Sequence, residues 1–202
     1  LNDTRVLPSR LQGRRKTYGK VEVLLVNKKE GSTFNALIKP SRLKIGERIY
    51  FNGDGFTGEI TAKNEITFNV RDPDSVYKLG MMPLPPYIKR EPQEQDFDYY
   101  QTVYAKQDGS IASPTAGLHF TEELLHRISA SGVNIAYITL HISYSTFRPV
   151  KTEDVTSHRM DKEYFSINED AVRLIGEARR MKKRIIAVGT TSVRTLESAA
   201  DN

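Results

Sequence analysis

The chain of 202 residues predicts an α/β domain combined with a small antiparallel β-barrel, an α+β multidomain protein. Three observations carry this. Short segments of period-two alternation fill residues 20–70, helical periodicity takes over beyond residue 120, and clusters of small, hydroxyl and cationic residues follow the apolar stretches.

The barrel comes first. KVEVLLV, TFNALI, ERIYF, FTGEITA and EITFNV alternate apolar and polar residues from about Lys20 to Val70, the pattern of strands with one buried face. Asn52-Gly53-Asp54-Gly55 and Lys63-Asn64 are the turns between them, since Gly and Asn tolerate positive φ. Five short strands so spaced close most economically into a small barrel. Such barrels serve as nucleic-acid modules, substrate clamps or structural inserts.

Asp72-Pro73-Asp74 and the run MMPLPPYIKREP, Met81 to Pro92, form a connector, because each residue before a proline is pushed towards extended geometry. A proline-rich ligand motif is the other use of such a run. Beyond it Thr121 caps a helix that carries Glu122 and Glu123 in its first turn and a stripe of Leu124, Leu125 and Ile128. Gly132 ends that helix, and VNIAYITLHI, Val133 to Ile142, reads as a buried strand. A second helix runs from Asn168 to about Met181, Arg184 to Val188 reads as a strand, and Val193 to Ala200 as a helix. The expected division is a segment of the α/β domain at 1–14, the barrel at 15–80 and the rest of the α/β domain at 81–202.

Composition narrows the function. At 38% hydrophobic and 27% charged residues the chain is ordinary globular material. No apolar run reaches the ~20 residues of a membrane span, so no membrane partner is expected and the location expected is cytoplasmic. Zero cysteines exclude disulfides and thiolate metal sites, and four scattered histidines without HxH or HExxH spacing give no metal site. The net charge of +5 and pI of about 9.3 suit a polyanionic partner or simply a basic soluble domain.

Three segments carry the candidate chemistry. In IIAVGTTSVRTLE, Gly189 follows an apolar stretch, and Thr190, Thr191 and Ser192 open a helix with Arg194 in its first turn. That arrangement aims N–H groups and hydroxyls at an anion, a carboxylate or ribose hydroxyls, or it merely caps the helix. No GxxxxGKS is present, and GxGxxG spacing occurs only at Gly53 to Gly58, among the period-two strands with no helix after it and away from this segment, so the usual dinucleotide and phosphate loops are not expected. In Pro114-Thr115-Ala116-Gly117-Leu118-His119-Phe120, small residues permit close approach of a ligand. His119 beside a helix start is biased towards neutral imidazole, fit for a base, or is structural. Phe120 either stacks on a purine or staples the helix that follows. His141 ends the 133–142 strand, before Ser143, Ser145, Thr146, Phe147 and Arg148. Arg148 is suited to bidentate capture of a carboxylate, while His141 is either core or supporting. His158, Asp161 and Glu163 offer acid–base groups or a solvated loop. Arg5, Arg10, Arg14, Arg15, Lys16 and Lys20 form a basic run near the amino end, and Tyr99, Tyr100 and Tyr104 add aromatic faces for an extruded base or one packed helix face.

These motifs, Tyr100–Phe120, Thr139–Val150 and Ile185–Ala200, resemble those of the S-adenosylmethionine:tRNA ribosyltransferase-isomerases of queuosine biosynthesis. The resemblance extends to NDTRVLPSRLQG, KVEVLL and PLPPYI and so spans nearly the whole chain in order. It implies an α/β domain joined to a small barrel. It also implies transfer and isomerisation of the ribosyl part of S-adenosylmethionine onto 7-aminomethyl-7-deazaguanine at the tRNA wobble position, with adenine and methionine released. The partners implied are that tRNA and S-adenosylmethionine, the latter a co-substrate with no metal or other cofactor. On the matching motifs His119 and His158 are the candidates for proton transfer. Thr115, Gly117, His141, Arg148, Gly189, Thr190, Thr191 and Arg194 are those for substrate binding, and Arg5, Arg10, Arg14, Arg15, Tyr100 and Tyr104 those for tRNA. The chain departs from the family's pattern in Ser143 and Ser145, where glycine-bearing turns are usual, and in Asp161, where a second histidine is usual. Members extend further at both ends, so the chain is expected to be a fragment. A non-catalytic basic RNA-binding module, and an α/β enzyme acting on another nucleoside or sugar phosphate, are the competing functions.

Overall fold

A computed structural model describes residues 1–51, 55–144, 154 and 162–200. It divides into two compact units, one formed by Leu1–Val6 with Asp98–Asn202 and the other by Leu7–Phe97. The expected break between residues 14 and 15 falls inside a strand, and residues 81–97 group with the barrel.

The second unit is a closed antiparallel barrel of six strands in the order β2-β3-β4-β7-β6-β5. These are β2 Arg10–Arg15, β3 Lys20–Lys28, β4 Thr33–Lys39, β5 Arg48–Phe51, β6 Thr57–Ala62 and β7 Glu65–Phe68. Five are the strands read from the alternation. The sixth, β2, closes the sheet by pairing with both β3 and β5, so its arginines belong to the barrel wall. Leu11, Val23, Phe34, Ile49 and Ile66 are fully buried inside, each worth about 1.5–3 kcal/mol of apolar burial. Phe34 meets Phe68 and Tyr77 edge to face at 5.7 and 6.0 Å. Asn64 takes the expected left-handed turn at φ 63°, as does Gly55 at φ 81°; Asn52, Gly53 and Asp54 lie outside the described residues.

The first unit is built on β1 Thr4–Val6, β8 Gln107–Ser110, β9 Ile138–Leu140 and β10 Phe165–Ile167. β1 pairs with β8 in parallel, β9 pairs with β10 antiparallel, and a parallel bridge from Asn2 to Ile138 joins the two ladders. Its long helices are α2 Glu122–Ala130, α3 Glu169–Arg180 and α4 Thr190–Ala200; α1, Asp96–Tyr99, is a single turn where the units meet in sequence. Thr121 Oγ1 accepts from Leu124 N at 3.1 Å and Asn168 Oδ1 from Ala171 N at 2.8 Å, so both caps stand where the sequence sets them. Gly132 follows α2 at φ 84°.

Two expected strands are corrected. Of residues 133–142 only Ile138–Leu140 is strand, and residues 184–188 form no ladder among the described residues. Ile185 and Ile186 are 43% and 72% exposed. An apolar β-branched run supplies the side chains of a strand, but with no paired backbone among the described residues it is not one there. Among the described residues no helix is long and apolar enough to cross a membrane.

Candidate functional site

The polar turns singled out in the sequence meet in the first unit, around the carboxyl end of β9 and the start of α4. Three contacts bring them together. Asn2, buried in the first residues of the chain, donates from Nδ2 to the Leu140 carbonyl at 3.0 Å and to Thr191 Oγ1 at 3.2 Å, while its Oδ1 accepts from Leu140 N at 3.0 Å. Gly189 lies so close to the Thr115–His119 turn that a Cβ there would sit 3.2 Å from Ala116 Cβ, and its φ of 85° favours glycine. Gly109, at φ 148°, presses against His141, since a Cβ there would lie 2.7 Å from ring atoms including Nε2. Thus the 107–110, 115–119, 139–143 and 189–194 segments are neighbours in space.

His141 is held on three sides. Its Nδ1 meets Thr4 Oγ1 at 2.8 Å, Thr4 in turn donates to Ser110 Oγ at 3.0 Å, and Ser110 Oγ also accepts from Ile142 N at 2.8 Å. With the Thr4 proton directed to Ser110, the Thr4 lone pair takes the proton of Nδ1, which leaves Nε2 as the bare acceptor of the neutral ring. The ring stacks on Tyr164 at 5.6 Å between centroids and 20° between planes. Burial pushes the His141 pKa below its ordinary 6.5, against the opposing pull of Asp3 and Asp108. His141 is therefore a neutral imidazole near neutral pH.

Glu163 is the second fixed point. Its side chain is 2% exposed, its Oε1 accepts from Ser143 N at 2.7 Å, and its Oε2 is ion-paired with Arg194 Nη1. The carboxylate thus ties the turn after β9 to α4 and sets the direction of the Arg194 guanidinium. In α4 itself, Thr195 Oγ1 donates to the Thr191 carbonyl at 2.9 Å.

The 115–119 turn is packed from below by aromatics. A Cβ on Gly117 would lie 2.2 Å from Tyr104 Oη and 2.8 Å from Thr102 Cγ2. Tyr104 also contacts Phe120 and Tyr137, and burial, chiefly, raises its hydroxyl pKa to about 12. Thr102, Ser113 and Ser192 keep buried hydroxyls with no partner among the described residues.

The remaining sequence candidates fall into place as follows. Thr115, His119 and Thr190 are exposed. Tyr100 is only 5% exposed and Tyr104 half-buried, whereas Tyr99 is 72% exposed. Arg5 pairs with Asp108, Arg10 with Glu22 and Arg15 with Glu47, and Arg14 forms no ion pair among the described residues. Arg148, His158 and Asp161, with Ser145, Thr146 and Phe147, lie outside the described residues. Phe120 lines a groove of about 620 Å³ together with Leu125 and Ile128 of the helix it precedes. That groove is bordered also by Leu174, Ile186 and Leu196, with Glu177, Lys183, Arg184 and Ser192 in its lining. Among the described residues no group of three His, Asp or Glu side chains could hold a metal. Sequence reasoning passed over Asn2, Thr4, Gly109, Ser110 and Tyr164. Their signal in the sequence is the polar triplet Asn-Asp-Thr at residues 2–4 and Asp-Gly-Ser at residues 108–110, the latter part of strand β8.

A closed barrel in one chain with a unit of strands and helices whose polar segments gather at strand ends defines an α+β multidomain protein with an added β module. The chain belongs to the queuosine biosynthesis protein family, whose model matches residues 1–202. It is 48% identical over 204 residues to the S-adenosylmethionine:tRNA ribosyltransferase-isomerase of Sulfurihydrogenibium sp. (strain YO3AOP1), covering 98% of this chain and 61% of that protein. To the protein of the same description from Clostridioides difficile (strain 630) it is 46% identical over 213 residues, covering 100% of this chain and 61% of the relative. The chain thus spans about three fifths of the length of these relatives. A crystal structure of S-adenosylmethionine tRNA ribosyltransferase from Thermotoga maritima matches with a TM-score of 0.35 and 24% identity over 100% of this chain and 54% of that one.

Proposed function

We propose that this chain carries the S-adenosylmethionine-binding and tRNA-binding parts of a ribosyltransferase-isomerase. The reaction transfers and rearranges the ribosyl group of S-adenosylmethionine onto 7-aminomethyl-7-deazaguanine at the wobble position of a tRNA, with adenine and methionine leaving. The observation that carries this reading is the junction of four polar segments about the start of α4, in a chain whose family match runs from end to end.

Such a reaction needs a base for the proton beside the sulfonium, an acid for the departing adenine, and donors for a carboxylate and ribose hydroxyls. His119 and His158 are proposed for the proton transfers. Gly189, Thr190 and Thr191 present the first N–H groups and hydroxyls of α4, a setting suited to an anionic or hydroxyl-rich ligand. Thr115 and Gly117 line the facing turn, and Arg148 is proposed for the carboxylate. Arg194, oriented by Glu163, directs a cation into the same region. His141, neutral and held by Thr4, offers an acceptor at Nε2 rather than a second positive charge beside the sulfonium.

The test is adenine release from S-adenosylmethionine, followed by chromatography, with tRNA bearing the 7-aminomethyl-7-deazaguanine base and with tRNA lacking it. Release confined to the modified tRNA is expected. Binding of tRNA without release would favour an RNA-binding module instead. A rate unchanged in His119→Ala would remove His119 from the chemistry.

A further inference from the structure

The barrel wall separates two kinds of cation. Arg10, Arg15, Lys28, Lys29 and Lys39 each face a carboxylate, at 2.6, 2.5, 3.1, 2.6 and 3.3 Å. Arg14, Lys16 and Lys20 are exposed and form no ion pair among the described residues. The strand register places these together. Arg14 stands directly opposite Lys20 on β3 and, on its other side, directly opposite Tyr50 on β5. Because Leu11 and Gly13 face the barrel interior, Arg14 points outward, and so do Lys20 and Tyr50. Two like charges in one cross-strand pair destabilise a sheet, so the pair costs the fold something, and no ion pair among the described residues offsets it.

The hairpin that joins β2 to β3 adds to the row. Arg15 N donates to Gly19 O at 2.8 Å and Tyr18 N to Arg15 O at 2.9 Å, which closes a tight turn of Lys16, Thr17, Tyr18 and Gly19. Tyr18 sits in this turn at φ 65° and is 80% exposed; Tyr50 is 43% exposed. A bulky residue held left-handed at a loop tip with its ring in water is strain without a packing reward.

We infer that Arg14, Lys16, Tyr18, Lys20 and Tyr50 form an RNA-docking surface on the outer wall of the barrel. The three cations neutralise backbone phosphates, and the Tyr18 and Tyr50 rings stack on unpaired bases of a loop. Unpaired cations interleaved with open aromatic faces suit single-stranded RNA better than they suit an acidic protein, which needs no stacking platform. The inference rests on the tRNA substrate proposed above and names where on the barrel that RNA lies.

The experiment measures binding of an unmodified tRNA transcript to the chain across a salt series, so that affinity is read apart from the reaction. Removing two phosphate contacts with Arg14→Gln/Lys20→Gln is expected to flatten the slope of log affinity against log salt by about 1.5–2, and to weaken binding roughly tenfold or more at low salt. Tyr18→Ala is expected to weaken binding about tenfold with the slope unchanged, and Tyr18→Phe to restore it, as stacking requires the ring and not the hydroxyl. Lys63→Gln, the loss of one charge in the β6–β7 turn, serves as control for Arg14→Gln and Lys20→Gln each taken singly, and circular dichroism melts verify that every variant is folded. Equal weakening by Lys63→Gln would overturn the surface, since only net charge would then matter. Unchanged binding in the Arg14 and Lys20 variant would overturn it too, as would losses seen on phosphatidylserine vesicles and not on the transcript. Patch-dependent binding without adenine release would leave the surface standing and overturn the proposed reaction instead.

Discussion

Replacing Gly109 with Ala tests the arrangement around His141 at one atom. At φ 148° a side-chain-bearing residue costs on the order of 1–3 kcal/mol. The new Cβ would stand 2.7 Å from His141 Cε1 and Nε2, against the roughly 3.5–4.0 Å of an ordinary contact, so the ring must retreat by about 1 Å. That movement breaks the 2.8 Å bond to Thr4, at a further cost of about 0.5–1.5 kcal/mol. Together the substitution should destabilise the first unit by roughly 2–4 kcal/mol. Because the chain has two units, a single melting temperature would blur the effect. Amide hydrogen exchange at Ile138, His141 and Ile142 reads it locally, and protection there should fall by about 30-fold or more, while the amides of Val23 and Ile66 in the barrel stay unchanged. Protection altered by less than about threefold, with the His141 ring still protonated at Nδ1 by nitrogen NMR, would refute the reasoning.

The other predictions concern both units. Glu163→Gln leaves Arg194 facing an amide where it had a buried carboxylate, and should cost about 3 kcal/mol, the low end for a broken buried pair because Arg194 is partly exposed. A double-mutant cycle with Arg194→Met should show strong coupling between the two positions, and additive losses would disprove the link. Since burial lowers the His141 pKa below 6.5, the unfolded chain takes up the proton first. The His141 contribution to the first unit's stability should therefore be full above about pH 6.5 and be lost as the pH drops through the folded pKa, a contribution that His141→Gln should remove in exchange measurements at pH 7.5 and 5.5. Gly117→Ala should displace Tyr104, whose Oη lies 2.2 Å from the added Cβ, and lower stability by about 1–3 kcal/mol, visible as a changed tyrosine near-ultraviolet signal. Phe34→Ala should remove about 3–5 kcal/mol from the barrel and leave exchange at Leu140 untouched.

What the sequence disclosed follows from which interactions are local. Alternation in TFNALI and EITFNV fixes which face of each strand is buried, so β4 and β7 were legible without any knowledge of their neighbours. Thr121 and Asn168 cap their own helices within three residues, and those helix starts were equally plain. β2 was missed because RLQGRR holds one apolar residue among cations and becomes a strand by pairing on both sides. Residues 184–188 failed for the opposite reason, having the composition of a strand and no described partner. At the site, Gly189, Thr191, Arg194 and His141 could be picked out by residue type at turns. Asn2 and Thr4 could not, because their roles rest on contacts with residues more than a hundred positions away. Glu163 was visible as one acid among several, and only the fold singles it out as the one clasping Arg194.

Asn2 and Leu140 bond across 138 positions of chain, and the whole barrel lies between them. During synthesis residues 1–6 emerge before the barrel and then have no partner in β8 or β9 until those strands have followed. The barrel, whose strands pair mostly with near neighbours in sequence, can close in the meantime. Its closure draws residues 7 and 97 into one compact unit, shortening the free loop that the first unit must close to gather its own ends. In this view the barrel is an early-folding element within the chain, and a slow or misfolded barrel would surface as a protein unable to bring residues 1–6 to β8 and β9.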